Sequence, residues 1–566
     1  MWILGLAGSH NSGAALIRDG KVVVAVQTER LVRYKRQAIR LDEMSADTVQ
    51  VIAYCLRYAG IDLPDLAAIA TCTPSRSVHP RFALRDLPAA SVRLPPFVRV
   101  PHHLAHAEYA LHYAPQDPCL VLVCDGSGTF EDQRAELDIQ EEEHHPIKHL
   151  GENGKESISA YRFDGTTLSL IYRVAYGSAG GEAGAEWLAS LGHLWEWAAS
   201  YCHGSRHEAG KVMGLAPFGS ASVHADLRTI GLHPRGEVRI DFDGLLRRCL
   251  RPNTSAADIS GSQHHQDIAA HVQRVTNDFL VDLVRFLQTR FDTKNVCYSG
   301  GVALNSIANE HLRRSLGINL HMNGSCEDNG TAIGAALAVY HARTGRRVPE
   351  DVTDYHGRHY TSSEVEEALR GYAGRVERLE RAELLARTAR ALSSGLVVGW
   401  LQGRSEFGPR ALGNRSILAD PRDPSMQRIL NERVKHREAF RPYAPAVVEE
   451  RAAEFFDLEG PSPVMLRVVP VTVSSLPAIT HVDGSARVQT VNRRQNPIFY
   501  DLLKQFEAET GVPVLLNTSF NVAGEPIVET PADALRTFIA SGMDLLVMED
   551  FMVHPPPSST SPGDRS

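Results

Sequence analysis

Residues 2–30, WILGLAGSHNSGAALIRDGKVVVAVQTER, alternate apolar runs with short polar turns. The first apolar run enters a Gly/Ser turn, a second run follows, and the dipeptide Asp19-Gly20 separates it from a third. Asp-Gly between two alternating apolar runs is a strong signal for a tight β-hairpin. The stretch therefore predicts three consecutive strands at the start of an α/β domain.

A looser copy of this pattern follows. Residues 120–128, LVLVCDGSG, form an apolar run with a glycine-rich turn, and residues 158–174 carry a second hairpin signal at Asp164-Gly165. Helical periodicity follows each copy, at residues 45–60 and 185–202. Two such units predict the duplicated ATPase-like fold of actin, the sugar kinases and Hsp70. The alternative is two unrelated mixed domains that share common hairpins.

Length and composition predict more than one domain. A chain of 566 residues is expected to form two to four domains. The composition turns polar and proline-bearing near residue 350, which predicts an N-terminal domain at 1–350 and a C-terminal domain at 351–552. The segment 131–156 is acidic and rich in turn residues, typical of an exposed insertion. The end, 553–566, is too polar and proline-rich for a core and is expected to be disordered.

Charge and hydropathy exclude several classes of function. The net charge of −8 argues against broad nucleic-acid binding, which needs a basic face. No apolar run reaches the length of a transmembrane helix, and the first residues read as a buried strand rather than a signal peptide. The eight cysteines are scattered without a CxxC pair, as expected for buried thiols in a reducing cytoplasm.

The stretch VPHHLAHAEYA, residues 100–110, carries His102 and His106 four positions apart, on one face if it is a helix. Asp125, which follows an apolar strand, and Asp328, which precedes a helix of small residues, are candidate partners. Two imidazoles and two carboxylates suit Fe(II), Mn, Zn or Co. Spacing alone leaves a solvated or capped helix face as the alternative.

Other stretches suggest anion binding. The turn at Gly300-Gly301, followed by Asn305, suits a backbone that approaches a phosphate or adenosine, although close packing of a helix on a strand also explains it. Arg410 and Arg441 lie in rigid proline-containing frames that suit planar anions such as phosphate, carboxylate or carbamate. Arg487 and the segment NTSFNVAGEPIV, 517–528, add further donors.

Seven motifs in order carry a resemblance to a known family: HHLAHA, GKVMGLAPFG, SGGVALN, GPRALGNRSILADP, VKHREAFRPYAP, ITHVDGSARVQTV and NTSFNVAGEPIV. They resemble the ATP-dependent O-carbamoyltransferases of antibiotic and nodulation-factor biosynthesis, the tobramycin carbamoyltransferase type. The resemblance runs from residue 3 to about residue 552.

The resemblance implies an N-terminal domain similar to the metal-dependent subunit that makes threonylcarbamoyladenosine on tRNA, which has the duplicated ATPase-like fold. It also implies a C-terminal YrdC-like α/β domain that forms carbamoyl-adenylate. The implied substrates are carbamoyl phosphate and ATP with Mg, and the carbamoyl group passes to a hydroxyl of a small-molecule acceptor. An aminoglycoside, a macrolide, an ansamycin or another sugar hydroxyl all fit as acceptor. The implied resident metal is a divalent ion, with Fe(II) preferred over the others.

The family's functional residues carry over residue by residue. By resemblance, the metal ligands are His102, His106, Asp125 and Asp328, and His10 is the base for the acceptor hydroxyl. The implied nucleotide contacts are Lys35, Gly301 and Asn305. The YrdC-type signature is Lys435-x-Arg437 with Ser519-x-Asn521, and the carbamoyl phosphate cradle is Arg410, Arg441, Arg487 and Asn517.

The chain departs from the family pattern at two places near the predicted metal site. SHNSGAAL lacks the common aspartate after His10, and SCEDNG replaces a Gly-Asp-Asp-Gly type of turn. Two alternative functions are compatible with parts of this sequence pattern. One is a tRNA threonylcarbamoyladenosine-type synthase, which the acidic charge disfavours. The other is a non-catalytic ATP-binding module, which the intact Lys-x-Arg and Ser-x-Asn pairs disfavour.

Overall fold

The computed structural model describes residues 1–39, 41, 45–74, 95–115, 117–129, 140–141, 154–176, 190–227, 229–249 and 262–556. Most of the predicted acidic insertion and residues 557–566 of the predicted tail lie outside these ranges. The chain forms two compact units. The first is Met1–Val32, Arg36–His356 and Leu466–Val468; the second is Arg33–Lys35, Gly357–Met465 and Val469–Ser566. Each unit therefore contains a short segment from the part of the chain that mostly builds the other.

The first sheet confirms the three predicted strands and adds two. Its strands are β1 Trp2–Ala7, β2 Gly13–Arg18, β3 Lys21–Gln27, β4 Leu66–Cys72 and β5 Phe97–Arg99, and its helices are α1 Thr28–Val32 and α2 Ala46–Ala59. The strand order is β3-β2-β1-β4-β5; β2 is antiparallel to β1 and β3, whereas β4 is parallel to β1 and β5. Asp19 and Gly20 both have positive φ, 51° and 81°, as a two-residue hairpin turn requires.

The second sheet repeats this topology. The strands that follow along the chain are β6 Cys119–Cys124, β7 Gln140–Glu141, β8 Lys155–Phe163, β9 Leu168–Tyr176, β10 Ile230–Leu232, β11 Val238–Ile240, β12 Asn295–Ser299 and β13 Asn319–His321. In the described residues the order is β13-β12-β6-β8-β9-β7, with β8 antiparallel to β6 and β9, and β12 parallel to β6 and β13. Strands β6, β8, β9, β12 and β13 thus correspond to β1 to β5. The duplicated ATPase-like fold is confirmed, and the alternative of two unrelated domains is wrong.

Two helices of the first unit and strand β1 pack against each other at backbone distance. The remaining helices of the first unit are α3 His102–His112, α4 Leu191–His203, α5 Ala209–Leu215, α6 Phe242–Cys249, α7 Gln263–Gln288, α8 Ser306–Leu316 and α9 Thr331–Thr344. From Thr331 to Tyr340, α9 is buried throughout. A Cβ at Gly334 would lie 1.8 Å from the carbonyl oxygen of Ala105 on α3, and a Cβ at Gly5 on β1 would lie 1.8 Å from that of Ala332. Glycine at these positions lets α3, α9 and β1 approach at backbone distance.

The second unit is a mixed α/β domain. Its elements are β14 Val376–Arg378, β15 Val398–Leu401, β16 Arg415–Ala419, β17 Ala444–Val448, β18 Val468–Pro470, β19 Ser485–Arg487, β20 Gln489–Val491, β21 Val514–Ser519, β22 Leu545–Met548 and β23 Phe551–Val553, with α10 Ser362–Leu369, α11 Arg381–Ser393, α12 Met426–Ile429, α13 Pro497–Thr510 and α14 Pro531–Ser541. The main sheet has the order β14-β23-β22-β15-β16-β21-β17-β20.

Both faces of this sheet carry a hydrophobic core. Helices α11 and α13 pack on one face with Trp400 and Leu418. Helices α10 and α14 pack on the other with Leu401 and Ile417. Successive strand residues enter opposite cores, as the two-residue period of a strand requires. Among the helices of the described residues, none is long and apolar enough to cross a membrane.

A buried ion cluster attaches Leu466–Val468 to the first unit. Arg467 Nε donates to Glu310 Oε2 of α8 at 2.7 Å, and Arg313 and Arg314 donate to the same carboxylate at 3.0 and 2.6 Å. The side chain of Asn309 also donates to the carbonyl oxygen of Leu466 at 3.1 Å. Burial opposes the charge of Glu310, but the three guanidinium groups hold the pKa of its carboxyl at about 2.

We predict that Glu310→Gln destabilises the first unit by about 3 kcal/mol near neutral pH, because it leaves buried guanidinium charge without its partner. The carboxyl has a lower pKa folded than unfolded, so its contribution is complete above the unfolded pKa and is lost as the pH falls towards 2. Urea unfolding at about pH 7 and about pH 3.5 should show the difference from wild type shrinking in acid. The exposed Glu366→Gln is the control; an equal loss at both pH values would contradict the ion cluster.

Candidate functional site

Two of the three histidines of the HHLAHA motif meet at the start of α3. His102 and His106 are buried and stand one turn apart, with ring centroids 4.7 Å from each other and planes at 88°. Their Nε2 atoms are 3.3 Å apart. The predicted shared helix face is confirmed. His103 points elsewhere, since its Nδ1 contacts Ser159 Oγ at 2.7 Å.

Two carboxylates complete this cluster. Asp125 follows β6, and its Oδ2 lies 3.1 Å from His102 Nε2; Asp328 precedes α9, and its Oδ1 lies 3.4 Å from the same nitrogen. The four side chains are buried, and one ligand atom from each lies within 4.8 Å of the others. Two imidazole nitrogens that converge with two carboxylate oxygens form a donor set suited to a divalent cation.

Neighbouring polar groups orient this donor set. Ser299 Oγ donates to the carbonyl oxygen of Cys326 at 3.2 Å, so it accepts from His106 Nδ1 at 3.1 Å and leaves the lone pair of His106 Nε2 facing the cluster. Cys72 Sγ lies 3.4 Å from His102 Nδ1, and the backbone N–H of Gly301 donates to Asp125 Oδ1 at 3.1 Å. The sequence interpretation missed Ser299 and Cys72, which lie at the ends of β12 and β4.

Contacts within the cluster shift the pKa values of Asp328 and His102. Burial alone would raise the pKa of Asp328, but the charge and hydrogen bonding of His102 hold it well below its usual range. Burial alone would lower the pKa of His102, but Cys72 and the carboxylates raise it well above its usual value. These directions favour charged carboxylates, whose negative charge a proton on His102 offsets in part.

His10, the predicted base, lies at the open edge of the cluster. Its Nδ1 is 3.6 Å from Asp328 Oδ2, its side chain is 45 % exposed, and its ring stacks on His207 with centroids 5.8 Å apart. The adjacent Asn11 donates to Glu327 Oε2 at 2.8 Å, and burial raises the pKa of Glu327 to about 7. The two departures from the family pattern thus contact each other beside His10.

Gly301 and Asn305, two of the predicted nucleotide contacts, form hydrogen bonds with other residues of the first unit. Gly301 orients Asp125, as described above. The Asn305 side chain caps α8 by accepting from the N–H of Ala308 at 3.0 Å and pairs with the Gln273 amide at 3.2 Å. Their nucleotide role remains a prediction.

The second unit brings the two YrdC-type signature pairs together. Residues Leu430–Lys435 form a π-helix turn that ends at His436 with a φ of 45°. This turn directs the buried Lys435 inwards, where its Nζ donates to Asn521 Oδ1 at 2.8 Å, to the carbonyl oxygen of Asn521 at 2.9 Å and to that of Ser519. Such π-turns occur frequently at functional sites.

Several cations lie around Lys435 in the second unit. Arg437 stacks over Tyr443 at 4.1 Å and donates to Asn431 Oδ1 at 3.0 Å, whereas Arg487 Nε is buried and has no hydrogen-bond partner among the described residues. Within the described part of the chain, no carboxylate forms an ion pair with Lys435, Arg437 or Arg487. Arg441 pairs with Glu438 at 3.7 Å. We give the name cation cluster to Lys35, Arg410, Lys435, Arg437, Arg441 and Arg487.

The pKa values of the cation cluster reflect this arrangement. Burial lowers the pKa of Lys435, and the charges of Arg437, Lys35 and Arg441 lower it further. Burial lowers the pKa of Arg487 well below its usual value, and Arg410, Arg437 and Arg441 add to the effect. Lys435, Arg437 and Arg487, which form no ion pair with a carboxylate in the described residues, are suited to bind a polyanion.

Family comparisons cover almost all of the chain. Residues 2–82 and 75–337 match the family "Carbamoyltransferase N-terminus", and residues 389–555 match "Carbamoyltransferase C-terminus". The "Nodulation protein NolNO" of Sinorhizobium fredii is 34% identical over 96% of this chain and 79% of its own length. The "3'-hydroxymethylcephem-O-carbamoyltransferase" of Amycolatopsis lactamdurans is 34% identical over 61% of this chain and 64% of its own.

Solved structures resemble the chain more distantly. HypF of T. kodakarensis is 14% identical, covers 62% of this chain and 49% of its own length, and superimposes with a TM-score of 0.39.

We predict that His106→Ala abolishes stoichiometric Fe(II) binding, because it removes one of two imidazole donors from the cluster. The matched His103→Ala variant should retain the ion, since the His103 ring contacts Ser159. Elemental analysis after anaerobic reconstitution with Fe(II) and desalting measures both variants. Full iron content in His106→Ala, or its loss only in His103→Ala, would contradict the donor set.

Proposed function

The chain belongs to the carbamoyltransferase family, and on that premise we propose that it is an O-carbamoyltransferase of natural-product biosynthesis that works in two steps. The second unit forms carbamoyl-adenylate from carbamoyl phosphate and ATP with Mg. The first unit transfers the carbamoyl group to a hydroxyl of a small-molecule acceptor. We place the enzyme in the cytoplasm, where both phosphorylated substrates are available.

The observation that carries the proposal is the cation cluster. Hydrolysis of carbamoyl phosphate gives carbamate and phosphate, and a carbamate oxygen then attacks the α-phosphorus of ATP while the bond to pyrophosphate breaks. Every reactant is an anion. Arg410, Arg441 and Arg487 are suited to planar contacts with the carbamoyl phosphate, and Lys435 and Arg437 to the triphosphate. Lys435, Arg437 and Arg487, which form no ion pair with a carboxylate in the described residues, hold positive charge in place before the substrates arrive, as electrostatic preorganisation requires.

The first unit supports the transfer step. We propose His102, His106, Asp125 and Asp328 as the ligands of a divalent metal, with Fe(II) preferred over Mn, Zn or Co. Such an ion supplies Lewis-acid polarisation of a carbonyl oxygen when bound. His10 is suited to take the proton of the acceptor hydroxyl at Nε2, because its Nδ1 faces Asp328. The hydroxyl oxygen bonds to the carbamoyl carbon as the bond to AMP breaks.

Incubation of the purified protein with ATP, Mg and carbamoyl phosphate tests the first step through pyrophosphate release. A panel of hydroxylated natural products, screened by mass spectrometry for the gain of one carbamoyl group, tests the second. His106→Ala should still release pyrophosphate but carbamoylate no acceptor. Absence of pyrophosphate release from the wild-type protein would refute the proposal.

We predict that Arg487→Met lowers pyrophosphate release about 100-fold, because it removes a buried charge-assisted contact to the substrate anion. Its thermal midpoint should not fall, since loss of an uncompensated buried cation relieves repulsion among the neighbouring arginines. Arg493→Met, at a 71 % exposed side chain paired with Asp501, is the matched control. Wild-type activity in Arg487→Met would exclude Arg487 from the anion site.

A further inference from the structure

Two buried amide side chains lie face to face in the second unit. Asn517, on β21, and Gln489, on β20, are each 1 % exposed. Asn517 Nδ2 lies 2.8 Å from Gln489 Oε1 and 3.2 Å from the carbonyl oxygen of Ala411. Gln489 Nε2 lies 2.7 Å from the carbonyl oxygen of Leu412. Both carbonyls belong to the loop that carries Arg410.

The two backbone carbonyls determine how both amides point. A carbonyl oxygen only accepts hydrogen bonds, so the atom of Gln489 that faces Leu412 must be its NH₂ group. Gln489 then presents its oxygen to Asn517. The atom of Asn517 that faces both this oxygen and Ala411 must therefore be its own NH₂ group. Neither amide can flip without placing an oxygen against an oxygen.

This arrangement leaves one acceptor unused. Asn517 Oδ1 is buried and has no hydrogen-bond partner among the described residues. A buried amide oxygen without a partner costs free energy that a donor group on a ligand recovers. Asn517 shares its strand face with Ser519, which contacts Lys435, and its amide touches the loop of Arg410. Arg410, Arg487 and Lys435 are donors that attract an anion but cannot recognise an N–H group.

We propose that Gln489 is a positioning residue that holds the Asn517 amide oxygen towards the donor substrate, where it accepts a hydrogen bond from the carbamoyl NH₂ group. The cation cluster binds the phosphate, and the Gln489–Asn517 pair selects the carbamoyl group against an isosteric acetyl group, whose methyl cannot donate. This inference rests on the proposed use of carbamoyl phosphate.

Carbamoyl phosphate and acetyl phosphate test the inference because they share the acyl phosphate and differ in NH₂ against CH₃. Isothermal titration calorimetry should show the wild-type protein binding carbamoyl phosphate about tenfold more tightly than acetyl phosphate. Gln489→Met keeps the length of the side chain but frees the Asn517 amide, and Asn517→Ala removes the acceptor. In both variants the ratio of the two dissociation constants should fall to about one, with acetyl phosphate affinity unchanged.

Gln402→Met is the matched control, since Gln402 is a buried glutamine of the same unit that donates to the carbonyl oxygen of Glu549 at 2.7 Å. It should preserve the tenfold ratio. Three results would overturn the assignment. These are a ratio near one in the wild-type protein, an unchanged ratio in Gln489→Met, and an equal loss of affinity for carbamoyl phosphate and acetyl phosphate. Pyrophosphate release is measured separately: its absence with the selective ratio intact would refute the proposed reaction while leaving the recognition of the carbamoyl group standing.

Discussion

The first unit depends on the backbone-distance packing of α9 against α3 and β1. Gly334 and Gly5 leave no room for a side chain, because a Cβ at either would overlap a carbonyl oxygen of the neighbouring element. Both α3 and α9 start at the same edge of the duplicated fold. Their close approach therefore brings His102 and His106, at the start of one helix, within ligand distance of Asp328, which precedes the other. A wider helix separation would disperse the donor set.

The two candidate sites bury charge in opposite ways. In the first unit, two carboxylates converge with two imidazoles in a donor set suited to a cation. In the second unit, Lys435, Arg437 and Arg487 lie together without a carboxylate partner and are held by neutral groups such as Tyr443 and Asn431. Burying like charges lowers stability, and binding of an anion would compensate for this loss of stability. In the proposed function, the first site binds a cation and the second an anion.

Local signals predicted much of the architecture. Asp-Gly turns and alternating strands placed both hairpins, since turn chemistry acts over a few neighbouring residues. Histidines one helical turn apart predicted a shared helix face, and the positions of Asp125 after a strand and Asp328 before a helix made them candidate partners. The π-helix turn at Lys435 and the partners Ser299 and Cys72 were missed, because no spacing rule connects them to the residues they orient. The exchange of Arg33–Lys35 and Leu466–Val468 between the units was also missed, as it depends on contacts between distant segments.

The sequence by itself determined the elements, their duplication and the identity of the reactive side chains, because periodicity, turn residues and motifs are properties of short stretches of chain. Only the tertiary structure decided which of these side chains meet. Sheet order and helix packing bring Asp125 and Asp328 to the same pair of histidines, although the two carboxylates lie far apart in the chain. The orientation of the Asn517 amide was likewise decided by two carbonyl oxygens of a distant loop, since only a folded backbone presents acceptors in fixed directions.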